Sequence, residues 1–212
     1  MVTDALLRQW NATLPGQSQL GGRLLTAWAD PARVYHGVGH LQACLTAWAR
    51  LGGQHRNEAL ALWFHDLVHH NQPGIDERAS AEVAAVELDA AGLGHREVAE
   101  VVRLILATIN HRPAADDQAA GRVCDADLAI LGAEPRRYLA SVAALRAEFC
   151  QLTDAEWRAT RRRQVETLRA RESLFTTRKG RDFWEAAARQ NLRQEWGRLS
   201  DQGSNGDGSP AP

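Results

Sequence analysis

The sequence predicts a single all-α domain, and three observations support this fold class. Apolar residues recur at three- and four-residue spacing along most of the chain, which is typical of amphipathic helices. No alternating pattern long enough for a strand occurs, and glycine-containing pairs such as Gly52-Gly53 divide the periodic segments. The 212 residues suit one domain with its own core. We therefore expect a helical domain over residues 1–199 and a disordered tail over residues 200–212.

Each periodic segment predicts one helix. The clearest segment carries Val98, Val101, Val102, Ile105 and Ile109 on one face. This helix should end before Pro113. The other segments that predict helices are 4–11, 19–29, 39–50, 58–69, 77–91, 135–150, 154–171 and 181–196. The polar, glycine-rich residues after 199 have almost nothing to bury, which is why we expect them to be disordered.

Composition excludes several classes of protein. A formal net charge of −1 gives no electrostatic reason to expect a nucleic-acid polymer or a membrane surface as partner. Cys44, Cys124 and Cys150 are odd in number and lack Cys-x-x-Cys spacing, so they predict reduced thiols rather than disulfides. The first residues do not resemble a signal peptide, and no apolar run is long enough for a membrane span. We expect a cytoplasmic protein.

A His-Asp pair follows the most apolar helical segment. Residues 59–64 read Ala-Leu-Ala-Leu-Trp-Phe, so this helix is apolar all round and should be buried on most sides. His65 and Asp66 come next. An ionised carboxylate at such a position is costly unless it is paired, hydrogen-bonded or bound to a cation. The pair therefore favours a functional role over a purely structural one.

Other segments offer ligands of the same kind. His36 and His40 lie four residues apart at the start of a predicted helix, and Asp125 and Asp127 lie at the head of a later apolar segment. Imidazole nitrogens and carboxylate oxygens from separate helices can converge on one divalent cation. Such a mixed set suits manganese, iron, cobalt, nickel or zinc, and magnesium less well.

The ordered series His40, His65-Asp66 and Asp127 resembles the H…HD…D signature of the HD superfamily of metal-dependent phosphohydrolases. More narrowly, the chain is similar to a bacterial family of HD-superfamily phosphohydrolases of about this length. The segments that carry the likeness are 33–40, 64–66, 76–81, 107–111, 125–132 and 188–192. The resemblance implies an HD-type helical bundle in which His40, His65, Asp66 and Asp127 hold one divalent metal ion.

The resemblance also implies an activity. It predicts hydrolysis of a phosphate ester of a nucleotide or related small molecule, with a metal-bound hydroxide as nucleophile and Asp66 orienting the water. Glu77 is the candidate acid or base, although a first-turn glutamate is equally typical of a stabilised helix N-terminus. Arg33 is the candidate phosphate clamp. His111 is expected near the substrate phosphate, at the end of its helix.

Several alternatives remain open. Asp125 competes with Asp127 for the last ligand position. The stretch from His65 to His69 has the shape of the zinc-protease helix motif, with aspartate in place of glutamate, but that reading leaves His40 and Asp127 unexplained. A di-iron HD-type oxygenase is a second enzyme class, and a non-catalytic metal- or nucleotide-binding module is a third possibility.

Overall fold

The computed structural model describes residues 2–201, which form helices joined by short turns with no β-strand among them. The helices are α1 (Val2–Thr13), α2 (Ser18–Trp28), α3 (Val38–Arg50), α4 (Arg56–Phe64), α5 (Asp76–Ala90), α6 (His95–Ala107), α7 (Gln118–Leu128), α8 (Pro135–Glu148), α9 (Asp154–Arg169), α10 (Arg178–Gly180) and α11 (Ala186–Asp201). A 3-10 turn, Ala129–Gly132, follows α7, and a π-helical turn, Arg181–Glu185, joins α10 to α11. The predicted all-α fold is confirmed.

Helix α4 lies at the centre of the bundle. It packs against α1, α3, α5, α6 and α7. Residues 60–64 are completely buried, as a helix that is apolar on every side requires. The Trp63 ring meets the buried Trp10 ring edge-on at 5.2 Å. Each fully buried leucine or aromatic side chain here contributes roughly 2–3 kcal/mol. Burial on every side therefore stabilises the position of the central helix.

Helix α4 ends at Phe64, whereas the sequence predicted a helix through His69. The backbone amides beyond it find partners outside the helix, because Val68 donates to the Ser80 hydroxyl at 3.0 Å and His70 to the Asp76 carboxylate at 2.8 Å. These contacts replace the helical hydrogen bonds of the next turn. The His-Asp pair consequently lies in a tight turn at the end of a buried helix.

Two other differences from the prediction concern residues near the candidate site. Helix α6 ends at Ala107, before Ile109, where the backbone N–H groups of Thr108 and Ile109 donate to carbonyls three residues back rather than four. The segment before Asp127 is itself a helix, α7, so Asp125 and Asp127 lie in its last turns and not at the head of an apolar segment. The sequence signal for the start of α7 is Asp117, the N-cap residue, whose side chain accepts the Ala120 N–H in the first turn of the helix.

The last helix, α11, continues through Asp201, two residues beyond the predicted domain end at 199. The rest of the predicted tail, residues 202–212, lies outside the described residues. None of the described helices combines the length and the apolar composition that a membrane crossing requires.

Candidate metal centre

Three helices bring the predicted ligands together. His40 lies in the first turn of α3, His65 and Asp66 directly follow α4, and Asp127 lies in the last turn of α7. Helices α3, α4 and α7 all pack against one another. Residues far apart in the sequence therefore lie close together. We call this group of four residues the tetrad: His40, His65, Asp66 and Asp127.

The tetrad atoms converge closely. His40 Nε2 lies 3.2 Å from His65 Nε2, 3.4 Å from Asp66 Oδ2 and 3.2 Å from Asp127 Oδ1. His65 Nε2 lies 3.2 Å from Asp66 Oδ2 and 3.7 Å from Asp127 Oδ1. Ligand atoms about 2.1 Å from one ion lie roughly 3.0–3.4 Å from each other in octahedral or tetrahedral arrangements. The spacing fits a single metal ion.

The protonation of His65 also suits a metal ligand. Its Nδ1 lies 2.9 Å from the Leu62 carbonyl oxygen, which can only accept, so Nδ1 carries the proton. In the neutral ring, Nε2 then presents its lone pair to the tetrad. Metal-binding histidines are commonly oriented in this way by a hydrogen bond from the other ring nitrogen.

The tetrad is buried and strongly coupled electrostatically. Burial by itself lowers the pKa of His65, but the carboxylates of Asp66 and Asp127 raise that pKa well above its ordinary value. Burial raises the pKa of Asp127, and His65, His111 and His40 outweigh it, so the pKa of Asp127 lies well below its usual range. Burial also raises the pKa of Asp66, but His65 and His40 outweigh it and hold that pKa well below its usual range, so both carboxylates are anions. A dication satisfies them in place of the histidine protons.

Cys44 is a further donor that the sequence reading missed. It lies one helical turn after His40, on the same face of α3, and its Sγ is 3.5 Å from His40 Nε2. It is buried at the edge of the tetrad and belongs with His40, His65 and Asp127 to a set that can hold a metal ion. The four-residue spacing from His40 was the available signal.

His111 supports the tetrad from outside. Its Nε2 lies 2.7 Å from Asp127 Oδ2, the oxygen that does not face His40. The residue lies beyond the end of α6, in a turn with φ of 51°, a region that few non-glycine residues adopt. The turn aims the imidazole at the Asp127 carboxylate and so fixes which oxygen of that carboxylate enters the tetrad.

A second polar group borders the tetrad: His36, His69 and Glu148. The Glu148 side chain is almost fully buried, and His36 Nδ1 lies 2.6 Å from its Oε2. The backbone N–H groups of Tyr35 and His36 donate to Oε1 at 2.7 and 2.8 Å. His69 Nε2 lies 3.5 Å from Glu148 Oε2. Glu148 could not be singled out from the sequence, because it closes α8 more than 100 positions after Tyr35 and His36.

Arg33 and Glu77 have structural contacts of their own. The Arg33 guanidinium donates to the carbonyl oxygens of Asp66 and Leu67, at 2.7 and 2.5 Å, and so holds the turn after α4. Glu77 Oε2 accepts the Gly74 N–H at 2.5 Å, across the N-terminus of α5. The phosphate-clamp and acid–base roles of these two residues stay predictions.

Asp125, the alternative ligand, points away from the tetrad. Its carboxylate accepts the N–H groups of Thr176 and Thr177 and the Thr177 hydroxyl at 2.7–2.8 Å. Thr177 is the N-cap of α10. Burial raises the pKa of Asp125 despite these three donors. Asp125 therefore anchors the start of α10, and of the two acids only Asp127 lies near His40.

A cavity of about 540 Å³ opens onto the tetrad. Its polar floor includes both tetrad carboxylates together with His36, His69 and His111. Its apolar wall is formed mainly by Ile109, Leu128, Ile130, Leu131, Leu145, Phe149, Trp157 and Leu168. A small organic molecule with one polar end fits such a space, because the apolar wall can cover a ring while the polar end meets the floor.

Comparison of the chain with protein-family models, with curated proteins and with solved structures gives no match.

The histidine contacts predict different outcomes for two alanine variants. His40→Ala removes a tetrad nitrogen and should abolish metal binding. His69→Ala should leave the metal content nearly unchanged, because His69 faces Glu148 rather than the tetrad. Elemental analysis of both purified variants checks this. A zinc-protease-like site requires the reverse, with metal lost from His69→Ala and retained by His40→Ala.

Glu77→Gln tests the predicted acid or base. The amide oxygen can still accept the Gly74 N–H, so the helix terminus should survive while proton transfer is lost. We expect full metal content and a rate of phosphate release lower by roughly 10²–10⁴-fold. Glu82→Gln, an exposed change on the same helix, is the matched control. A Glu77→Gln rate within a few-fold of the parent leaves Glu77 with its helix-terminus role alone.

Proposed function

We propose that this protein is a metal-dependent phosphohydrolase that cleaves a phosphate ester of a nucleotide or related small molecule. The observation that carries the proposal is the tetrad itself: the two imidazole nitrogens lie 3.2 Å apart, and each lies 3.2–3.7 Å from an oxygen of Asp66 and of Asp127. Both carboxylates line the cavity. The resemblance to the HD superfamily supports the choice of reaction.

The donor set suits a manganese, iron, cobalt, nickel or zinc ion, with His40, His65, Asp66 and Asp127 as ligands. Such an ion, when bound, supplies a Lewis acid that polarises a phosphoryl oxygen and lowers the pKa of a water molecule. The chain's own residues provide the rest. The Asp66 carboxylate faces the cavity and can orient the attacking water, while His111 holds Asp127 in place.

The flanking histidines are suited to substrate contact. Glu148 accepts from His36 Nδ1 at 2.6 Å, so the proton lies at Nδ1 and the other ring nitrogen is available for the cavity. The His69 ring packs against the His36 ring at 4.1 Å. Glu148 thus positions His36, and the pair of rings forms one wall of the space beside the tetrad.

The di-iron oxygenase alternative needs a second metal ion, and the group of His36, His69 and Glu148 is the candidate site. The hydrogen bonds of that group favour a different role. Glu148 already accepts two backbone N–H groups and the His36 imidazole, which uses most of its acceptor capacity. We therefore propose one metal ion per chain and a hydrolytic reaction.

A metal analysis followed by a phosphate-release screen tests the proposal. The purified protein is assayed over nucleotides and related monoesters and diesters with added Mn, Co, Ni, Mg and Zn. We expect one transition-metal ion per chain and metal-dependent release of phosphate or of a nucleotide. Bound metal without turnover of any phosphate ester would favour the non-catalytic binding module, and two metal ions per chain would favour the oxygenase.

A further inference from the structure

Helix α9 presents a polar stripe to the cavity that the sequence reading did not single out. Thr160, Gln164, Thr167 and Arg171 line the cavity and follow one another at spacings of three and four residues. Residues at this spacing share one face of a helix, here continued into the turn that follows α9. The stripe carries hydroxyl, amide and guanidinium groups but no carboxylate. A wall of this composition suits an anion.

Arg171 is the unusual member of the stripe. Its guanidinium donates to two neutral acceptors, the carbonyl oxygens of Asn110 at 2.8 Å and His111 at 3.3 Å. Its Nε is buried and has no hydrogen-bond partner. A guanidinium has five N–H donors, so most of them are not used by the protein. Burial lowers the pKa of Arg171, and nearby Arg112 lowers it further.

Other arginines in the described part of the chain show the contrast. Arg161 borders the same cavity but forms an ion pair with Glu195 at 2.7 Å, and Arg122 pairs with Glu58 at 2.6 Å. Within residues 2–200, no carboxylate forms an ion pair with Arg171. A partly buried cation without a counter-charge is costly, and an anion bound in the cavity offsets that cost.

The contacts of Arg171 also place it near the tetrad. It bonds to the backbone of His111, whose side chain lies 2.7 Å from the Asp127 carboxylate. Only one residue therefore separates the guanidinium from a candidate metal ligand. A phosphoryl group held between the metal and this guanidinium meets positive charge on two sides.

We propose that Arg171 binds the phosphate group of the substrate, and that the rest of the α9 stripe contacts the polar part of the same molecule. This inference rests on the proposed function only in taking phosphate as the anion. It gives to Arg171 the clamp role that the sequence assigned to Arg33, because Arg171 lines the cavity beside the tetrad and Arg33 does not.

Binding of inorganic phosphate to the metal-loaded protein, measured by titration calorimetry, tests the inference without any turnover. Arg171→Met should bind phosphate roughly 10- to 100-fold more weakly than the parent, since a charge-assisted guanidinium contact is lost. Its metal content should be unchanged. Arg169→Met is the matched control, because Arg169 lies on the exposed side of the same helix end and stacks on Trp196.

If Arg171→Met does not fold, Arg171→Gln replaces it, since its amide can still donate to a carbonyl oxygen while the charge is lost. The same weakening is expected. Phosphate affinity equal to that of the parent overturns the inference, as does a loss of metal together with phosphate, which assigns Arg171 to support of His111 alone. Phosphate binding that depends on Arg171 without hydrolysis of any ester contradicts the proposed function but leaves the inference intact.

Discussion

His65→Ala should lose both the bound metal ion and all phosphate-releasing activity, while the protein stays folded. His65 Nε2 lies 3.2 Å from both His40 Nε2 and Asp66 Oδ2, so the ring contributes one of four converging donors. Without it, a nitrogen and two carboxylate oxygens remain, which is a weaker set for a transition-metal ion. Elemental analysis and circular dichroism of the purified variant measure the two outcomes.

Asp66→Asn should have the same effect. An amide oxygen is a poorer metal ligand than a carboxylate oxygen, and the substitution removes one of the two negative charges of the tetrad. The matched controls are His95→Ala and Asp89→Asn, which change the same residue types at exposed positions. Both controls should keep the metal ion and the activity. Full metal occupancy in His65→Ala or Asp66→Asn shows that the tetrad is not the metal site.

Substitution of the two acids of α7 should separate metal binding from stability. Asp127→Asn should lose the metal ion, because Asp127 Oδ1 lies 3.2 Å from His40 Nε2. Asp125→Asn should keep the metal ion but lower the free energy of unfolding by about 2 kcal/mol, since its buried carboxylate accepts three hydrogen bonds at the start of the last helices. Metal analysis and urea denaturation compare the two variants.

The opposite pattern, with metal lost from Asp125→Asn and retained by Asp127→Asn, contradicts the assignment. The two residues are a stringent pair because they lie on one helix, two positions apart, and differ only in direction. Residues two positions apart on a helix point in roughly opposite directions. Asp127 therefore faces α3 and α4, and Asp125 faces the start of α10.

Much of the fold was predictable because the helices of this chain bury apolar stripes. The periodic valines and isoleucines of α6 identified its buried face, and the apolar segment 59–64 identified the central helix. The tetrad could also be proposed, because an acid after a buried helix needs a partner. What periodicity could not give was the end of α4 at Phe64, which depends on contacts with Ser80 and Asp76 from the next helix.

The residues around the tetrad were harder to predict for a physical reason. Glu148 accepts the backbone N–H groups of Tyr35 and His36, and Arg171 donates to the backbone carbonyl of His111. These partners lie 60 or more positions away in the sequence. A charged residue in an amphipathic helix looks like part of a solvated face in the sequence. Only the contacts of Glu148 with residues 35–36, and of Arg171 in the turn after α9 with residues 110–111, show that these two side chains are turned inward.

The metal content of the purified protein, measured together with metal-dependent release of phosphate from nucleotides, tests whether the tetrad binds a catalytic metal ion. We predict one transition-metal ion per chain, held by His40, His65, Asp66 and Asp127, and hydrolysis that is lost when the metal ion is removed by a chelator and restored when it is added back. A protein that binds no divalent transition metal, or that hydrolyses a phosphate ester equally well after the metal ion is removed, would contradict the account.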